Sequence, residues 1–114
     1  MATNVAEERN LIQGCCGLVD PGMTDAEAVV VAERFKALAD PTRVRMLNLL
    51  VRNPELCVCD MQTNFDLKQP TISHHLSVLK KAGLVVCETR GRWCFYRANP
   101  EAISELATVL EVTT

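Results

Sequence analysis

The chain contains no apolar run approaching the roughly 18 residues that a membrane-spanning helix requires. Its N-terminus lacks the apolar centre of a secretory signal peptide. It also has no C-x-x-C motif, no glycine-rich phosphate loop and no nucleophile with an obvious base nearby, which argues against an enzyme. We therefore expect a non-enzymatic protein of the cytoplasm, with no membrane partner and no small organic substrate.

Net charge is also low for a nucleic-acid-binding protein, at −2 over 114 residues. The average conceals an asymmetry, because residues 1–35 carry a net charge of −4 and residues 68–97 a net charge of +5. The positive charges of the second segment come from Lys68, Lys80, Lys81, Arg90, Arg92 and Arg97. A local basic face is what contact with phosphate requires. The alternative is a merely solvated surface.

Six cysteines in a chain of this length could form a disulfide framework, but the cytoplasm, where we expect this protein, keeps thiols reduced. Clustered thiols that stay reduced are more often metal ligands or reactive groups. At 114 residues the chain is expected to form one folded domain. A domain this small often gains stability by dimerising.

Hydrophobic periodicity predicts five helices and one β-hairpin, a mostly α fold of the α+β class. Residues 1–22 show no sustained period and are predicted to form an arm, while residues 23–114 are predicted to form the folded domain. The first helix begins after a capping box that runs from Thr24 to Glu27. The side chains expected to form its buried stripe are Ala28, Val31, Ala32, Phe35 and Leu38.

The second helix is expected to begin at the cap Asp40. Its expected core face consists of Val44, Leu47 and Leu50, with Met46 and Val51 beside them. A short third helix is predicted over residues 57–65 and a fourth over 69–81, which Gly83 ends in the left-handed conformation. A last helix is expected to begin at Asn99, with a stripe suited to dimerisation or to packing on its own domain. That stripe consists of Ile103, Leu106, Val109 and Leu110.

The fourth predicted helix begins with residues suited to reading DNA. A recognition helix places its N-terminal side chains at base edges in the major groove. Here these side chains are Gln69, Thr71, Ser73 and His74. Glutamine can pair with adenine, and threonine or serine with several base groups. Because His74 and His75 point about 100° apart on a helix, we expect one to face DNA and the other to pack or cap.

A β-hairpin is predicted directly after this helix, the arrangement called a wing. Its strands are expected over 84–89 and 93–97, joined by a two-residue turn at Arg90 and Gly91. The tip then presents Arg90 and Arg92 for contact with phosphate or with the minor groove. The expected cross-strand pairs are Cys87 with Cys94 and Val86 with Phe95.

The thiols of Cys57 and Cys59 lie at the expected entry to the third helix. In a regular helix, side chains two residues apart diverge by about 200°, so these two converge only where the backbone is extended or just entering the helix. Thiolates select soft ions such as Cd(II), Pb(II), Zn(II), Cu(I) or trivalent arsenic. Two thiols rarely make a tight site. Cys15 and Cys16 are the natural complement, from the same chain or from a partner subunit.

The remaining thiols have a less specific pattern. Cys15 and Cys16 could be incidental small residues, but exposed vicinal cysteines are an oxidation liability, which favours a function. Cys87 and Cys94 are expected to be small buried hydrophobes, which is the usual behaviour of a free cysteine. The alternative for this second pair is a second metal site or a redox pair.

Three segments of the chain resemble the ArsR/SmtB family of metal-sensing repressors. They are FKALADPTR at residues 35–43, ELCVCD at 55–60 and QPTISHHL at 69–76. The resemblance implies a winged helix-turn-helix homodimer that binds a palindromic operator in the metal-free state and blocks transcription. Binding of the metal ion then releases the DNA.

The resemblance also bears on the ligands. Arsenic sensors of this family often have a third cysteine shortly after ELCVCD, whereas residues 61–63 here are methionine, glutamine and threonine. Cadmium and lead sensors, and some arsenic sensors, recruit N-terminal cysteines instead, and Cys15 and Cys16 fit that scheme. Three thiolates suit As(III), and four suit Cd(II) or Pb(II). We expect As(III) to be held by Cys15, Cys16 and one or both of Cys57 and Cys59.

The sequence therefore predicts a metalloregulatory repressor that binds operator DNA when metal-free and is released by As(III). One alternative is a repressor that senses Cd(II) or Pb(II) with the same four cysteines. Another is a repressor switched by thiol oxidation. The zinc- and nickel-type site on the last helix is discounted, because that helix contains no histidine.

Overall fold

The structure is a computed structural model that describes residues 18–113. Within this range the helices are α1 (Asp25–Ala37), α2 (Pro41–Arg52), α3 (Val58–Asn64), α4 (Gln69–Lys81) and α5 (Pro100–Val109). The strands are β1 (Leu56–Cys57), β2 (Val85–Arg90) and β3 (Trp93–Ala98). The prediction of a mostly α fold, with a β-hairpin after the fourth helix, is confirmed.

Local capping signals begin α1, α2 and α5 and end α4 at the predicted places. The Thr24 hydroxyl accepts a hydrogen bond from the Glu27 amide at 3.1 Å, and the Thr24 amide donates to the Glu27 carboxylate at 2.8 Å. The Asp40 carboxylate accepts from the first free amides of α2 at 2.9 and 3.1 Å. Gly83 adopts a φ of 80° after α4. Asn99 caps α5, so the wing lies directly between two helices, α4 before it and α5 after it.

An apolar core lies between α2, α3, α4 and the start of β2. Its fully buried side chains are Met46, Met61, Ile72, Leu76, Leu79, Leu84 and Val85. Complete burial of a side chain of this size contributes about 1.5–3 kcal/mol relative to exposure. Because α3 and α4 share this core, they are held together as one helix-turn-helix unit. No helix within residues 18–113 is long and apolar enough to cross a membrane.

Two predicted helix faces differ from the observed ones. In α1 only Ala37 is buried. Of the predicted stripe, Val31 and Leu38 are half-buried against the core, whereas Ala28, Ala32 and Phe35 are exposed. In α2 the buried face consists of Met46, Leu47 and Leu50. Val44 and Val51 are exposed, so the buried face of α2 is rotated towards Met46.

The sheet contains one strand that the sequence did not predict. β1 pairs antiparallel with β3, which gives the strand order β1-β3-β2. In this pairing Leu56 faces Tyr96 and Cys57 faces Phe95. The third helix therefore begins at Val58 and not at Cys57. The segment that carries the first thiol is consequently part of the same sheet as the wing.

The predicted register of the wing hairpin was wrong by two residues. Arg90 pairs with Trp93, so the turn consists of Gly91 and Arg92. Favoured two-residue hairpin turns require a positive φ at their first residue, and Gly91 supplies it with a φ of 62°. Cys87 faces Tyr96 and Val86 faces Arg97. A shift of two leaves each side chain on its predicted side of the sheet, because side chains alternate with a period of two.

Candidate thiol site and DNA-reading face

The thiols of Cys57 and Cys59 converge where β1 passes into α3. Cys57 has an extended backbone, with φ −92° and ψ 171°, and Cys59 lies in the first turn of the helix. Their Cα atoms are 5.3 Å apart and their sulfur atoms are in position for a disulfide. The convergence depends on the extended backbone at Cys57, as the spacing predicted. Reduction of this pair leaves two adjacent thiols that can act as ligands.

Asp60 brings a carboxylate to the same place. Its Oδ2 atom accepts a hydrogen bond from the Cys57 amide at 2.9 Å, which stabilises the first turn of α3. The two sulfur atoms and a carboxylate oxygen lie within 4.8 Å of one another, an arrangement that could hold a metal ion. Cys57 is buried and Cys59 is exposed. Cys15 and Cys16, the other predicted ligands, lie outside the described residues.

A cavity of about 350 Å³ adjoins the thiols. It is lined by Cys57, Val58, Cys59, Gln62, Gln69, Arg92, Trp93 and Cys94. Gln69 is the first residue of α4, while Arg92 and Trp93 lie at the tip of the wing. The thiol pair, the start of the predicted recognition helix and the wing therefore border one space.

The predicted base-reading residues occupy the first two turns of α4. Gln69, Thr71 and His74 are exposed, and Ser73 is half-buried. The opposite side of the helix is buried through Ile72, Leu76 and Leu79. This buried side fixes α4 on the core and leaves its N-terminal polar side chains towards solvent.

His75 packs towards α2, whereas His74 is exposed. The Nδ1 atom of His75 lies 3.2 Å from Nη1 of Arg43. Arg43 also donates from Nε to the Ala37 carbonyl at 2.5 Å. The hydrogen bond from the Arg43 amide, together with the charge of Arg43, lowers the pKa of Asp40 below its ordinary value. His75 thus belongs to a polar contact between α2 and α4.

Arg90 lies at the end of β2, next to the tip of the wing, and its side chain binds two carboxylates of the same chain. Its guanidinium donates to both carboxylate oxygens of Glu55, at 2.6 and 2.9 Å, and to Glu88 at 3.0 Å. It also lies over the ring of Phe95, 4.7 Å from the centroid. The hydrogen bonds from Arg90 to Glu55 and Glu88 raise the pKa of Arg90, and the bond to Glu88 lowers the pKa of Glu88. Any contact between Arg90 and DNA competes with these two carboxylates.

Glu55 is a residue that sequence reasoning missed as a functional candidate, although it begins ELCVCD. Its contact with Arg90 spans 35 residues of sequence and depends on the pairing of β1 with β3. No local pattern indicates that pairing. Arg92 differs from Arg90, because it is exposed and makes no ion pair within the part of the chain that the structure describes.

A helix-turn-helix with an exposed polar face on its second helix, followed by a β-wing, defines a winged-helix DNA-binding regulator. Residues 40–86 match the sequence model for the bacterial regulatory proteins of the arsR family. The comparisons with individual proteins point to the same family.

The chain is 44% identical over 80 residues to an uncharacterized HTH-type transcriptional regulator of Methanocaldococcus jannaschii, covering 70% of this chain and 90% of that protein. It is 42% identical over 77 residues to the arsenical resistance operon repressor of Escherichia coli K12, covering 68% and 66%. A homodimeric winged helix-turn-helix domain from Mycobacterium bovis, a possible ArsR-family regulator, matches with a TM-score of 0.64 at 31% identity, covering 79% and 86%. The chain belongs to the ArsR family of transcriptional regulators.

Proposed function

We propose that this chain is a repressor that binds operator DNA as a homodimer and leaves it when As(III) binds to cysteine thiolates. The observation that carries the proposal is the convergence of Cys57 and Cys59 at the start of α3, beside the cavity that Gln69 also lines. Similarity to a repressor named for arsenical resistance supports arsenic as the inducer.

The proposed ligands of As(III) are Cys15, Cys16 and one or both of Cys57 and Cys59. Soft ions prefer thiolates. The described residues supply two sulfur atoms and an oxygen of Asp60 within 4.8 Å of one another, which is one thiolate fewer than the three that suit pyramidal As(III). In this proposal residues 1–22 form an arm that supplies the missing thiolates.

The first route from the ligand to DNA is the packing of α3 against α4. Met61 lies one turn beyond the thiols and is buried in the same cluster as Ile72 and Leu76 of the recognition helix. Protein interiors are close-packed, so a displaced helix transmits its movement to the helix it touches. Binding at the start of α3 therefore changes the position of Gln69, Thr71, Ser73 and His74 relative to base edges.

The second route is the sheet. Cys57 pairs with Phe95, and the guanidinium of Arg90 lies over the Phe95 ring while it binds Glu55. A ligand that moves Cys57 therefore acts on two of the three partners of Arg90, Glu55 and Phe95, at once. Arg90 and Arg92 are the proposed phosphate contacts of the wing, so this route changes affinity without changing base recognition.

The test is operator binding by a variant that carries Cys57→Ser and Cys59→Ser. We expect its affinity for operator DNA to equal that of the wild type, because neither thiol reads a base, and we expect arsenite to leave it bound. Wild-type protein loses operator affinity by a factor that corresponds to about 1–3 kcal/mol of coupling. Fluorescence anisotropy of a labelled operator at one fixed salt concentration measures both quantities.

The matched control carries Cys87→Ser and Cys94→Ser, which also removes two thiols but leaves the proposed ligands in place. It should release DNA with arsenite as the wild type does. Release of the Cys57/Cys59 variant by arsenite would remove this pair from the inducer site. Parallel titrations with Cd(II), Pb(II) and Zn(II) identify the ion, and release at lower concentrations of one of these would replace As(III) in the proposal.

A further inference from the structure

The wing contains a second pair of thiols that the proposed inducer site does not use. The sulfur atoms of Cys87 in β2 and Cys94 in β3 are in position for a disulfide, and their Cα atoms are 6.4 Å apart. Cys87 faces Tyr96, and Cys94 faces Thr89, so the two cysteines are diagonal neighbours on the same side of the sheet. Disulfides span Cα distances of about 4.4–6.8 Å. The strands therefore do not have to move for this bond to form or break.

The surroundings of the pair allow a small reagent to reach it. Both residues are half-buried, and Cys94 lines the cavity of about 350 Å³ that Arg92 also lines. The thiolate is the reactive form of cysteine. Of the two wing cysteines, Cys94 lines this cavity, together with Cys57 and Cys59, and Cys87 does not. Cys94 is consequently the wing thiol that a reagent entering the cavity meets.

The number of donors decides between metal binding and oxidation. Within residues 18–113, the group of three donors that could hold a metal ion consists of Cys57, Cys59 and Asp60, and it includes neither wing cysteine. A pair of sulfur atoms without a third donor is a poor site for a three-coordinate ion. Two sulfur atoms already held in position for a bond are well arranged for a disulfide.

We propose that Cys87 and Cys94 are a reversible redox site, closed to a cross-strand disulfide by hydrogen peroxide. The Cys94 thiolate attacks one peroxide oxygen, the O–O bond breaks, and the departing hydroxide takes up a proton to become water. Cys94 is then a sulfenic acid. The Cys87 thiolate attacks its sulfur and displaces a second hydroxide, which is protonated to water. Two thiols lose two electrons and one peroxide gains them, and a thiol reductant reopens the bond by exchange.

This inference does not depend on the proposed arsenic response, because it concerns different cysteines and a different reagent. The test treats the reduced full-length protein with hydrogen peroxide, blocks the remaining thiols by alkylation and digests with trypsin without reductant. Cleavage after lysine and arginine separates Cys87, in residues 82–90, from Cys94, in residues 93–97. We expect these two peptides to appear linked and to separate on addition of dithiothreitol. Oxidation of Cys57 and Cys59 is distinguishable, since both lie in the single peptide 53–68.

Two variants test the assignment. The variant with Cys57→Ser and Cys59→Ser should form the wing link at the wild-type rate. Cys87→Ser should form no link, and its Cys94 should accumulate as sulfinic acid or, with glutathione present, as a mixed disulfide. The proposal is overturned if both wing peptides remain fully alkylated at a peroxide dose that oxidises Cys57 and Cys59. It is also overturned if Cys94 becomes linked to peptide 53–68 in place of peptide 82–90.

Discussion

The side chain of Arg90, in the wing, contacts the segment that carries Cys57 and Cys59. Its guanidinium is shared between the carboxylates of Glu55 and Glu88 and the ring of Phe95. Glu55 directly precedes β1, and Phe95 pairs with Cys57 in that strand. The Arg90 guanidinium, a proposed phosphate contact, is therefore bound by Glu55, which lies two residues before the proposed arsenic ligand Cys57, and by Phe95, which pairs with Cys57. In the proposed function, Glu55 is a positioning residue that affects DNA binding only through Arg90.

Replacement of Glu55 by glutamine should strengthen DNA binding in general. The Glu55→Gln variant removes the bidentate partner of Arg90 and leaves only Glu88, so the guanidinium becomes available for a phosphate. Each added phosphate contact steepens the dependence of log affinity on log salt concentration by about 0.9. We expect the slope of the variant to be steeper by up to about this amount when operator binding is measured at several salt concentrations.

The charge-matched control for this experiment is Glu101→Gln, which removes an exposed carboxylate from the first turn of α5. It changes the net charge equally but leaves the partners of Arg90 in place. If both variants steepen the slope by the same amount, the effect comes from net charge, and the role assigned to Glu55 is wrong.

Among the elements, the helices and the two strands of the wing could be predicted, whereas β1 and the register of the hairpin could not. The bounds of α4 agree with the prediction because proline near its start and glycine after its end are local signals. The strand β1 was missed because two residues have no period of their own and become a strand only by pairing with β3. The hairpin register was wrong because glycine takes the first position of the turn, a choice that hydrophobic alternation does not reveal.

In the candidate site, too, local features could be predicted and contacts between strands could not. That Cys57 and Cys59 converge could be predicted, because it depends on backbone conformation within three residues. The contact of Glu55 with Arg90 could not be predicted, because it depends on the pairing of β1 with β3, which are distant in sequence. The diagonal placement of Cys87 and Cys94 could not be predicted either, because it depends on the register of the hairpin. Strand pairing and strand register thus account for the parts of the site that the sequence left unassigned.

The start of α2 allows a prediction of how stability depends on pH. Hydrogen bonding from the Arg43 amide, with the nearby charge of Arg43, lowers the pKa of Asp40 below its ordinary value of 3.8. A carboxylate with a lowered folded-state pKa contributes stability above the unfolded-state pKa, and this contribution is lost as the pH falls through both values. We expect the stability advantage of the wild type over Asp40→Asn to be constant near neutral pH and to decline as the pH falls below about 5.

Urea unfolding of both proteins between about pH 3 and 7 measures this difference. Asparagine is also a good helix cap, so the comparison isolates the charge from the hydrogen bonds. Asp66→Asn, at an exposed position, controls for the loss of one negative charge. Parallel pH curves for the wild type and Asp40→Asn would contradict the prediction.

For the whole molecule, an uncovered apolar surface lies on α1. Val29 is 59% exposed and Val30 is 50% exposed. Val30 also borders a depression between α1 and α5, together with Met23, Val31 and Val109. The ion pair between Arg34 and Glu105, 2.6 Å long, connects these two helices. A second copy of the chain that covers this face would complete the burial of α1.

Replacement of Val30 by glutamate should weaken the proposed homodimer. Burial of an unpaired carboxylate is costly, so we expect the dimer dissociation constant to rise by about tenfold or more, which is about 1.4 kcal/mol. Sedimentation velocity over a concentration series measures this change, and circular dichroism verifies that the variant is folded. Val44→Glu is the matched control, because Val44 is 49% exposed but lies on α2 beside Phe65. If Val30→Glu dimerises as tightly as the wild type, or if Val44→Glu dissociates equally, the face formed by α1 and α5 is not the dimer interface.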